Sequence, residues 1–585
     1  MKEIFKFIKP YRKKLFLVAF MHAAATISSL LMPYVMSMIV DKGIKLKNEN
    51  VIITSAVFMT LLAVLSLVTS IVSNRINASV TTGFSSSVCK AMFKKINSLS
   101  FEQYSRIGSS GLLTRSTDDI FNIEGAASEL VYTVVTVPMM LIGGAALSFM
   151  SDTVLSLVFL ISIPPVFVFI SFLVKPLYAM WEMSDKYIDE QNRIVRERLS
   201  GLRVIRAFNN EEKEHKRAKF ATEEMAKYII KSNVRSGYIT PVAMLFLNLA
   251  TVAILWAGVL RVQSGAITDA GDIIAVIQYV ALISNAVIAL SWTIAWIPHL
   301  KVSVKRIGEI LTMPKQDDSA DDEIAKTYSY DDGAEIEIRD LSFKYPDSKN
   351  PTLTGISMKI KKGETAAVIG GTGSGKSTLI RLLLNFYDAD SGCISINGTP
   401  YTELSKGEIR SAYSPALQRA MIFEGTLKDN IMMGKRSATL DEVMKVISDC
   451  ELAEFLDSHK EGLDYGLVGL GHNVSGGQKQ RINMARTVIR EAPVYIFDDS
   501  FSALDYLTER KIQKALFKRL SGKTKIIITQ RVSTALASEH IFVMDKGSVV
   551  ADGTHTELIR KSDIYREICI SQLGADTVKE VLDRG

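Results

Sequence analysis

Six stretches in the N-terminal half are apolar on every face that a helix would present: 15–40, 52–72, 131–150, 154–174, 239–260 and 272–297. Apart from their ends they contain no Asp, Glu, Lys or Arg. At about 1.5 Å rise per residue, roughly 20 residues cross a hydrocarbon core, and each stretch reaches that length. Helices of a water-soluble domain keep a polar stripe, and six without one leave no surface for water. The pattern predicts a transmembrane domain over 15–313 with six spans. The connections alternate between short (41–51, 151–153, 261–271) and long (73–130, 175–238). Within the second long connection, 182–236 carries Glu, Lys and Arg at helical spacing, as solvated extensions of the spans would.

Both ends of this domain change character. Residues 1–14 are basic, with Ile4, Phe5, Phe7 and Ile8 set among lysines, which predicts an interfacial elbow helix on the membrane surface. A cleaved signal peptide would need a short apolar core followed by a small-residue cleavage site, and none follows. From residue 314 the chain turns polar and acidic (PKQDDSADDE), which predicts a linker over 314–334. Beyond it short apolar runs alternate with helical patterns, giving a second domain over 335–575 and a tail over 576–585.

Composition adds three exclusions. A net charge of +7 over 585 residues is too small for a strongly basic nucleic-acid scaffold. A hydrophobic content of 48% and a mean hydropathy of +0.17 exclude disorder. The four cysteines, Cys89, Cys393, Cys450 and Cys569, are too scattered for a disulfide framework or a clustered metal site. The distribution of charge says more than its sum. Six Lys/Arg precede the first span, six lie in 74–130 and fourteen in 175–237. The opposite side holds Lys42, Lys45, Lys47 and Arg261. By the positive-inside rule the long connections and both termini face the cytosol, so a multi-pass protein of the cell membrane with a cytoplasmic second domain is expected.

The second domain carries the chemistry. An apolar run at 365–369 leads into Gly370, Gly371, Thr372, Gly373, Ser374, Gly375, Lys376, Ser377 and Thr378, followed by a helical pattern. This fits G-x-x-x-x-G-K-[ST] in its strand–loop–helix context. Small residues let backbone N–H groups curl around phosphates, Lys376 brings a positive charge to the β and γ phosphates, and Ser377 is placed to ligate Mg²⁺. A second apolar run, 494–497, ends in Asp498 and Asp499. An acid at the end of a strand beside a P-loop suits Mg²⁺.

Between these motifs lies Val474-Ser475-Gly476-Gly477-Gln478, followed by Lys-Gln-Arg. Here the sequence resembles the ATP-binding cassette (ABC) family, whose signature loop is LSGGQ, and the order and spacing of the other motifs extend the resemblance over essentially the whole chain. The resemblance implies that Tyr345 stacks on adenine and that Gln418 senses Mg²⁺ and the membrane domain. It also makes Ser502 to Asp505 the D-loop and 545–555 the closing strands. The implied fold is an α-helical six-span transmembrane domain fused to an α/β P-loop (ABC-type) nucleotide-binding domain with a helical subdomain. Such a half-transporter of the exporter type uses ATP and Mg²⁺. Short coupling helices at 99–108 and 201–208 would rest on cassettes. One cassette holds half of each ATP site, so the working unit is expected to be a dimer, with no nucleic-acid partner.

Besides Val474 in place of the signature's Leu, the chain departs from the family at three places. Asp499 stands where a Glu polarises the attacking water, one methylene shorter. Gln530 stands at the switch histidine; it can hydrogen-bond a γ-phosphate but lacks imidazole proton chemistry. Gly469 stands where an acidic residue precedes the signature, so that contact is not carried over. Heterodimeric bacterial exporters show the same paired changes, Asp for Glu and Gln for His, in one subunit. The expected arrangement is therefore a heterodimer whose degenerate, slowly hydrolysing site uses this chain's Walker motifs. Val474–Gln478 would complete the partner's consensus site. Alternatives are a homodimeric exporter with slow hydrolysis, a lipid flippase and a mainly regulatory subunit. Met32, Met36, Met38, Met139, Met140, Met244, Phe246, Trp256, Trp292 and Trp296 in the spans suit amphipathic or hydrophobic cargo, as in multidrug efflux, although most such residues face lipid or neighbouring helices. His22, Asn248, Gln278 and Asn285 are polar groups within the spans.

Overall fold

In an apolar segment only a helix satisfies every backbone N–H and C=O internally, and the N-terminal half is helical throughout its long segments. The computed structural model describes residue 4 and residues 6–265, 269–314, 332–346 and 348–583. The side chains of 159, 162–163, 166–167, 170, 178, 185, 295–296, 298–299, 580–581 and 583 are outside this description. Most of the expected linker at 314–334 also falls outside it, as do residues 1–3 and 5 of the expected elbow and the side chain of Trp296.

The first of two units comprises Met1–Asn97 and Ile107–Pro314. A 3-10 turn at Lys9–Tyr11 precedes α1 (Arg12–Met38), α2 (Glu49–Asn97), α4 (Ser109–Ser116) and α5 (Asp118–Ser151), while α3 (Phe101–Ile107), between α2 and α4, belongs but for Ile107 to the second unit. The long helices α6 (Thr153–Ala207), α7 (Glu211–Gly237), α8 (Ile239–Gln263) and α9 (Ala270–Thr312) complete it. Five helical stretches among the described residues are long and apolar enough to cross a membrane: Lys9–Ile44, Glu49–Asn97, Ser109–Ser151, Glu211–Gln263 and Ala270–Ile294. The remaining expected span, 154–174, lies on α6, where several side chains are outside the description.

An aliphatic core that includes Leu155, Ile254, Val276 and Ile283 is buried in this unit, and large apolar side chains are also exposed on its surface. Leu61, Leu67 and Ile71 of α2, Ile142 of α5 and Met244 and Trp256 of α8 are exposed. Small and hydroxylated residues mediate the packing: the Ser73 hydroxyl donates to the Val18 carbonyl at 3.3 Å and Tyr279 to the Leu30 carbonyl at 3.1 Å. His22 is buried beside Tyr132, while Asn248 and Asn285 are exposed. Polar clasps tie helix ends together. The Gly271 N–H donates to Asp41 at 2.8 Å, Lys45 pairs with Asp269 at 2.8 Å, and Arg261 pairs with Asp152 at 3.2 Å.

The second unit comprises Ser98–Arg106 and Lys315–Gly585. An antiparallel sheet contains β1 (Ile336–Phe343), β2 (Leu353–Ile360), β4 (Ser391–Ile396) and β5 (Thr399–Pro400), in the order β2-β1-β4-β5. The main sheet has the order β12-β11-β3-β10-β9-β6. Its strands are β3 (Thr365–Ile369), β6 (Tyr413–Ala416), β9 (Val494–Asp498), β10 (Thr524–Thr529), β11 (His540–Asp545) and β12 (Ser548–Gly553). The five strands from β11 to β6 pair in parallel, and β12 is antiparallel at one edge. The residues of β3, β9 and β10 are buried throughout, as strands covered on both faces must be. Helix α10 (Lys376–Leu383) follows β3.

A helical subdomain projects from this sheet, with α11 (Leu427–Met432), α12 (Leu440–Asp449) and α13 (Gly476–Ile489) around a core that includes Ile431, Val443, Ile447 and Ile482. A short two-stranded pairing of β7 (Gly425–Thr426) with β8 (Gly466–Leu467) closes it. The chain then forms α14 (Tyr506–Arg519) and α15 (Asp563–Leu573), and a last helix, Ala575–Asp583, places Val578 in the core with Tyr565 and Cys569.

Asn430 pins the entrance to the subdomain. It is 1% exposed, accepts from the Phe423 N–H at 2.9 Å, and donates to the carbonyls of Phe423 at 2.9 Å and Thr426 at 3.1 Å. Arg486 of α13 donates to its main-chain carbonyl at 2.9 Å and its side-chain oxygen at 2.8 Å. Truncation orphans buried donors that cost about 1–3 kcal/mol each. Asn430→Ala should therefore lower the thermal unfolding midpoint by several degrees, measured by scanning fluorimetry, and an unchanged midpoint would show that water replaces the side chain.

Candidate functional site

The parallel sheet brings the chemistry to one edge. In β9 and β10, Asp498 pairs with Ile528, and in β10 and β3, Thr529 pairs with Ile369, so three strand ends lie side by side. The loop after β3, the acids after β9 and the switch segment after β10 emerge together. They enclose a cavity of about 250 Å³ lined by Thr352, Thr372, Gly373, Gly375, Lys376, Ser377, Thr378, Gln418, Asp498, Asp499, Ile528, Thr529 and Gln530. Ligand sites in open parallel sheets occupy this position, beyond the carboxyl ends of the strands.

The loop Gly370–Gly375 needs its first glycine for space, because a Cβ on Gly370 would press into the Met544 carbonyl. Lys376 is 8% exposed, and its ammonium donates to the carbonyls of Gly370 at 2.8 Å and Gly371 at 2.7 Å and to the Ser374 hydroxyl at 3.2 Å. Burial holds its pKa below the ordinary lysine value, although Asp499 and Asp498 pull it upward. The ammonium is thus held by two main-chain carbonyls and one hydroxyl of its own loop.

Asp498 is 7% exposed, and burial pushes its carboxyl up to about 6, against the Gln418 N–H and Lys376, which draw it down. Asp499 adopts a left-handed backbone with φ of 45°. Its N–H donates to the Ile528 carbonyl at 2.8 Å, and its own carbonyl accepts from the Ser502 hydroxyl at 2.8 Å. Gln530 is exposed, with its side-chain oxygen 3.4 Å from the Thr372 hydroxyl. The Ser377 hydroxyl, the Gln418 side chain and the buried Asp498 carboxyl are hard oxygen donors on one cavity, and a carboxylate that burial has destabilised is a fitting ligand for Mg²⁺.

Other expected residues fall at defined distances from this cavity. Tyr345 is half-buried, and its hydroxyl lies 3.1 Å from that of Thr378 and accepts from Arg381 at 2.8 Å. Its ring meets Tyr387 edge-on with centroids 5.3 Å apart, and it does not line the cavity. Tyr387 meets Phe101 at 5.6 Å, and Phe101 stacks on Phe386 at 5.3 Å, so the segment expected to couple at 99–108 carries an aromatic ladder toward the P-loop helix. Ser475 caps α13: its hydroxyl accepts from the Gln478 N–H at 3.3 Å, and the Gln478 side chain accepts from the Ser475 N–H at 2.7 Å. Val474 is buried in the subdomain core, while Ser475 and Gly476 are exposed at the helix start. None of 474–478 lines the cavity among the described residues. Asp505 caps α14 through the Thr508 N–H at 3.0 Å, which holds its carboxyl below the ordinary value.

Several positioning residues carry no motif. Gln480 and Asn483 of α13 donate to the carbonyls of Gln418 at 2.8 Å and Leu417 at 3.1 Å, tying the signature helix to the Gln418 loop. Arg531 donates to the Ser502 carbonyl at 2.8 Å and to buried Glu509 at 3.4 Å. Gln572 brackets the switch segment, donating to the Gln530 carbonyl at 2.7 Å and accepting from the Val532 N–H at 2.8 Å. Adjacency of Gln480 and Asn483 to the signature was the one sequence signal available for any of these.

A glycine-rich loop, a buried lysine, paired acids and a signature helix on one α/β unit define an ATP-binding cassette. The ABC transporter transmembrane region family matches residues 15–287 and the ABC transporter family matches residues 353–502. The chain is 31% identical over 576 residues to the uncharacterised ABC transporter ATP-binding protein YfiB of Bacillus subtilis, covering 98% of this chain and 99% of that protein. It is 28% identical over 577 residues to a putative export ATP-binding/permease protein of Rickettsia conorii, covering 97% and 98%. The fold is shared with a bacterial Atm1-family ABC exporter solved with ATP bound, with a TM-score of 0.81, 22% identity and coverage of 96% and 98%. The chain belongs to the ABC transporter family, with its transmembrane region and ATP-binding cassette fused in one polypeptide.

The raised carboxyl of Asp498 has a stability consequence. A folded value of about 6 against an ordinary 3.8 means that the folded protein holds this proton more tightly than the unfolded chain. Stability from this group is present at low pH and is lost as pH rises from about 4 to about 6, by on the order of 1–3 kcal/mol. In nucleotide-free protein, Asp498→Asn should raise the unfolding midpoint at pH 7.5, with the advantage shrinking toward pH 4.5. An equal effect at both pH values would exclude this origin.

Proposed function

We propose that this chain is one half of a heterodimeric exporter that moves amphipathic or hydrophobic compounds across the cell membrane through six spans, with its cassette in the cytoplasm. The observation that carries the asymmetry is the composition of one cavity wall: Lys376, Ser377, Gln418 and Asp498 are those that nucleotide binding needs, while Asp499 and Gln530 depart from the hydrolytic pair. Lys376 exchanges carbonyl partners for phosphate oxygens, and the loop N–H groups cradle the β-phosphate. When bound at Ser377, Asp498 and Gln418, Mg²⁺ supplies charge neutralisation between the phosphates. Asp499, one methylene shorter than Glu, holds its carboxylate back from the attacking water, and displacement of that order is poorly tolerated in catalysis. Gln530 binds without exchanging a proton. ATP therefore stays long at this site.

The signature works elsewhere. Ser475 and Gly476 are exposed at the start of a helix, a site for the γ-phosphate of ATP held by a second chain. The tip joining α6 to α7 is exposed at Leu199, Val204 and Phe208, an apolar surface suited to a partner's cassette. Fusion of membrane and cassette parts favours export, as does the likeness to proteins named as putative exporters. Exposed Met244 and Trp256 are adaptable apolar contacts for varied cargo.

The test is purification of the tagged chain from its native membrane, with identification of the second chain and ATPase assay of the pair. Ser475→Ala should lower turnover more than about tenfold, by removing a phosphate ligand of the consensus site. Asp499→Glu combined with Gln530→His should raise it by equipping the second site. Recovery of a homodimer whose ATPase is abolished by Asp499→Asn would overturn the proposal.

A further inference from the structure

A cleft of about 680 Å³ opens in the first unit, within the size range of small-molecule and lipid sites. Its walls are apolar side chains from the N-terminal segment (Ile8, Tyr11), α1 (Phe16), α2 (Phe84), α5 (Val131) and α9 (Ile297). A single cation, Lys301, completes the lining, and it has no ion-pair partner among the described residues. The opposite side of the same N-terminal segment presents Lys6, Lys9, Arg12 and Lys13 around a second, open depression of about 560 Å³. Ile4, Ile8, Tyr11 and Leu15 thus face the cleft while the cations between them face away.

This segment is fixed against α2. The Tyr11 ring lies over Gly83, where a Cβ would come within 2.7 Å of the phenol oxygen, so only glycine admits the contact. The level of the cleft is also defined. Leu15 and Val131 begin apolar stretches and Ile297 ends one, so the cleft sits at the boundary of the apolar belt on the side of the basic connections.

We propose that the cleft binds an anionic phospholipid, with an acyl chain between α1, α5 and α9 and the phosphate held by Lys301, at a membrane edge that the basic far side of the N-terminal segment makes positive. An uncharged apolar ligand would leave Lys301 facing it without a counter-charge, and a zwitterionic lipid brings its own ammonium toward that cation. An anionic headgroup answers both, because clustered Lys and Arg beside a membrane attract negative lipid. A partner helix seated here would have to supply a carboxylate at Lys301. The site is independent of the transported cargo and of the asymmetry of the nucleotide sites.

The test uses the full assembled transporter, delipidated and titrated with dioleoylphosphatidylglycerol or dioleoylphosphatidylcholine, with bound lipid counted by native mass spectrometry. One tightly retained phosphatidylglycerol per copy of this chain is expected, preferred over phosphatidylcholine. Lys301→Gln should reduce that preference about fivefold, the worth of one cation near an anionic surface. Ala127→Phe, which fills the cleft, should abolish retention of either lipid; where it does not fold, Lys301→Gln at an unchanged melting temperature decides. Equal retention of the two lipids overturns the proposal. So does a preference untouched by Lys301→Gln, or a disulfide between Phe16→Cys and a cysteine placed in a partner chain, which would show that protein covers the cleft.

Discussion

Two charges kept in a half-dry cavity organise the nucleotide-binding unit. Lys376 is buried with its ammonium on three oxygens of its own loop, and Asp498 is buried with its carboxyl resisting ionisation. Each is unfavourable alone, because burial disfavours the charged form of both. They persist because β3, β9 and β10 are adjacent, fully buried and parallel, a framework that leaves the two groups no other place. The apolar core of the sheet thus offsets a polar site that is costly when empty and becomes favourable when triphosphate and a cation enter.

Much of this could be read before the fold was known, and the reasons are specific. Spans at 15–40 or 52–72 announce themselves because lipid demands apolar residues on every face. The P-loop and the acids after 494–497 announce themselves because their backbone geometry demands small residues and a strand end. What stayed hidden are contacts between side chains and distant main chain. Gln572 holds the Gln530 carbonyl across 42 positions, and Asn430 is gripped by Arg486 across 56. Neither has a periodicity or local composition that marks it. Tyr345 was legible as an aromatic near the site, but its partners Thr378, Arg381 and Tyr387 were not, since they depend on how α10 lies against β1.

The aromatic ladder shows how a segment remote in sequence becomes part of the cassette. Phe101 belongs to a connection between membrane helices, yet it stacks on Phe386 and meets Tyr387, which touches Tyr345. Tyr345 in turn is bonded at Thr378, in the first turn of the helix that begins at Lys376. A contiguous packed path therefore runs from residue 101 to the helix that begins at Lys376. Packed aromatic rings transmit displacement because interiors at crystal-like density compress little.

The two departures from the family pattern occupy the positions that the fold uses least. Gln530 is exposed, and its main chain is held by Gln572 whatever side chain it carries. Asp499 is partly exposed, and its fixed features are backbone bonds to Ile528 and Ser502 and a left-handed φ that Asp tolerates better than most residues. Lys376 and Asp498, by contrast, are the buried members whose energetic penalty falls on the empty protein. Both charges are present, and the departures fall on exposed and partly exposed groups of the same cavity. That division is what the proposed binding without rapid turnover would require of the sequence.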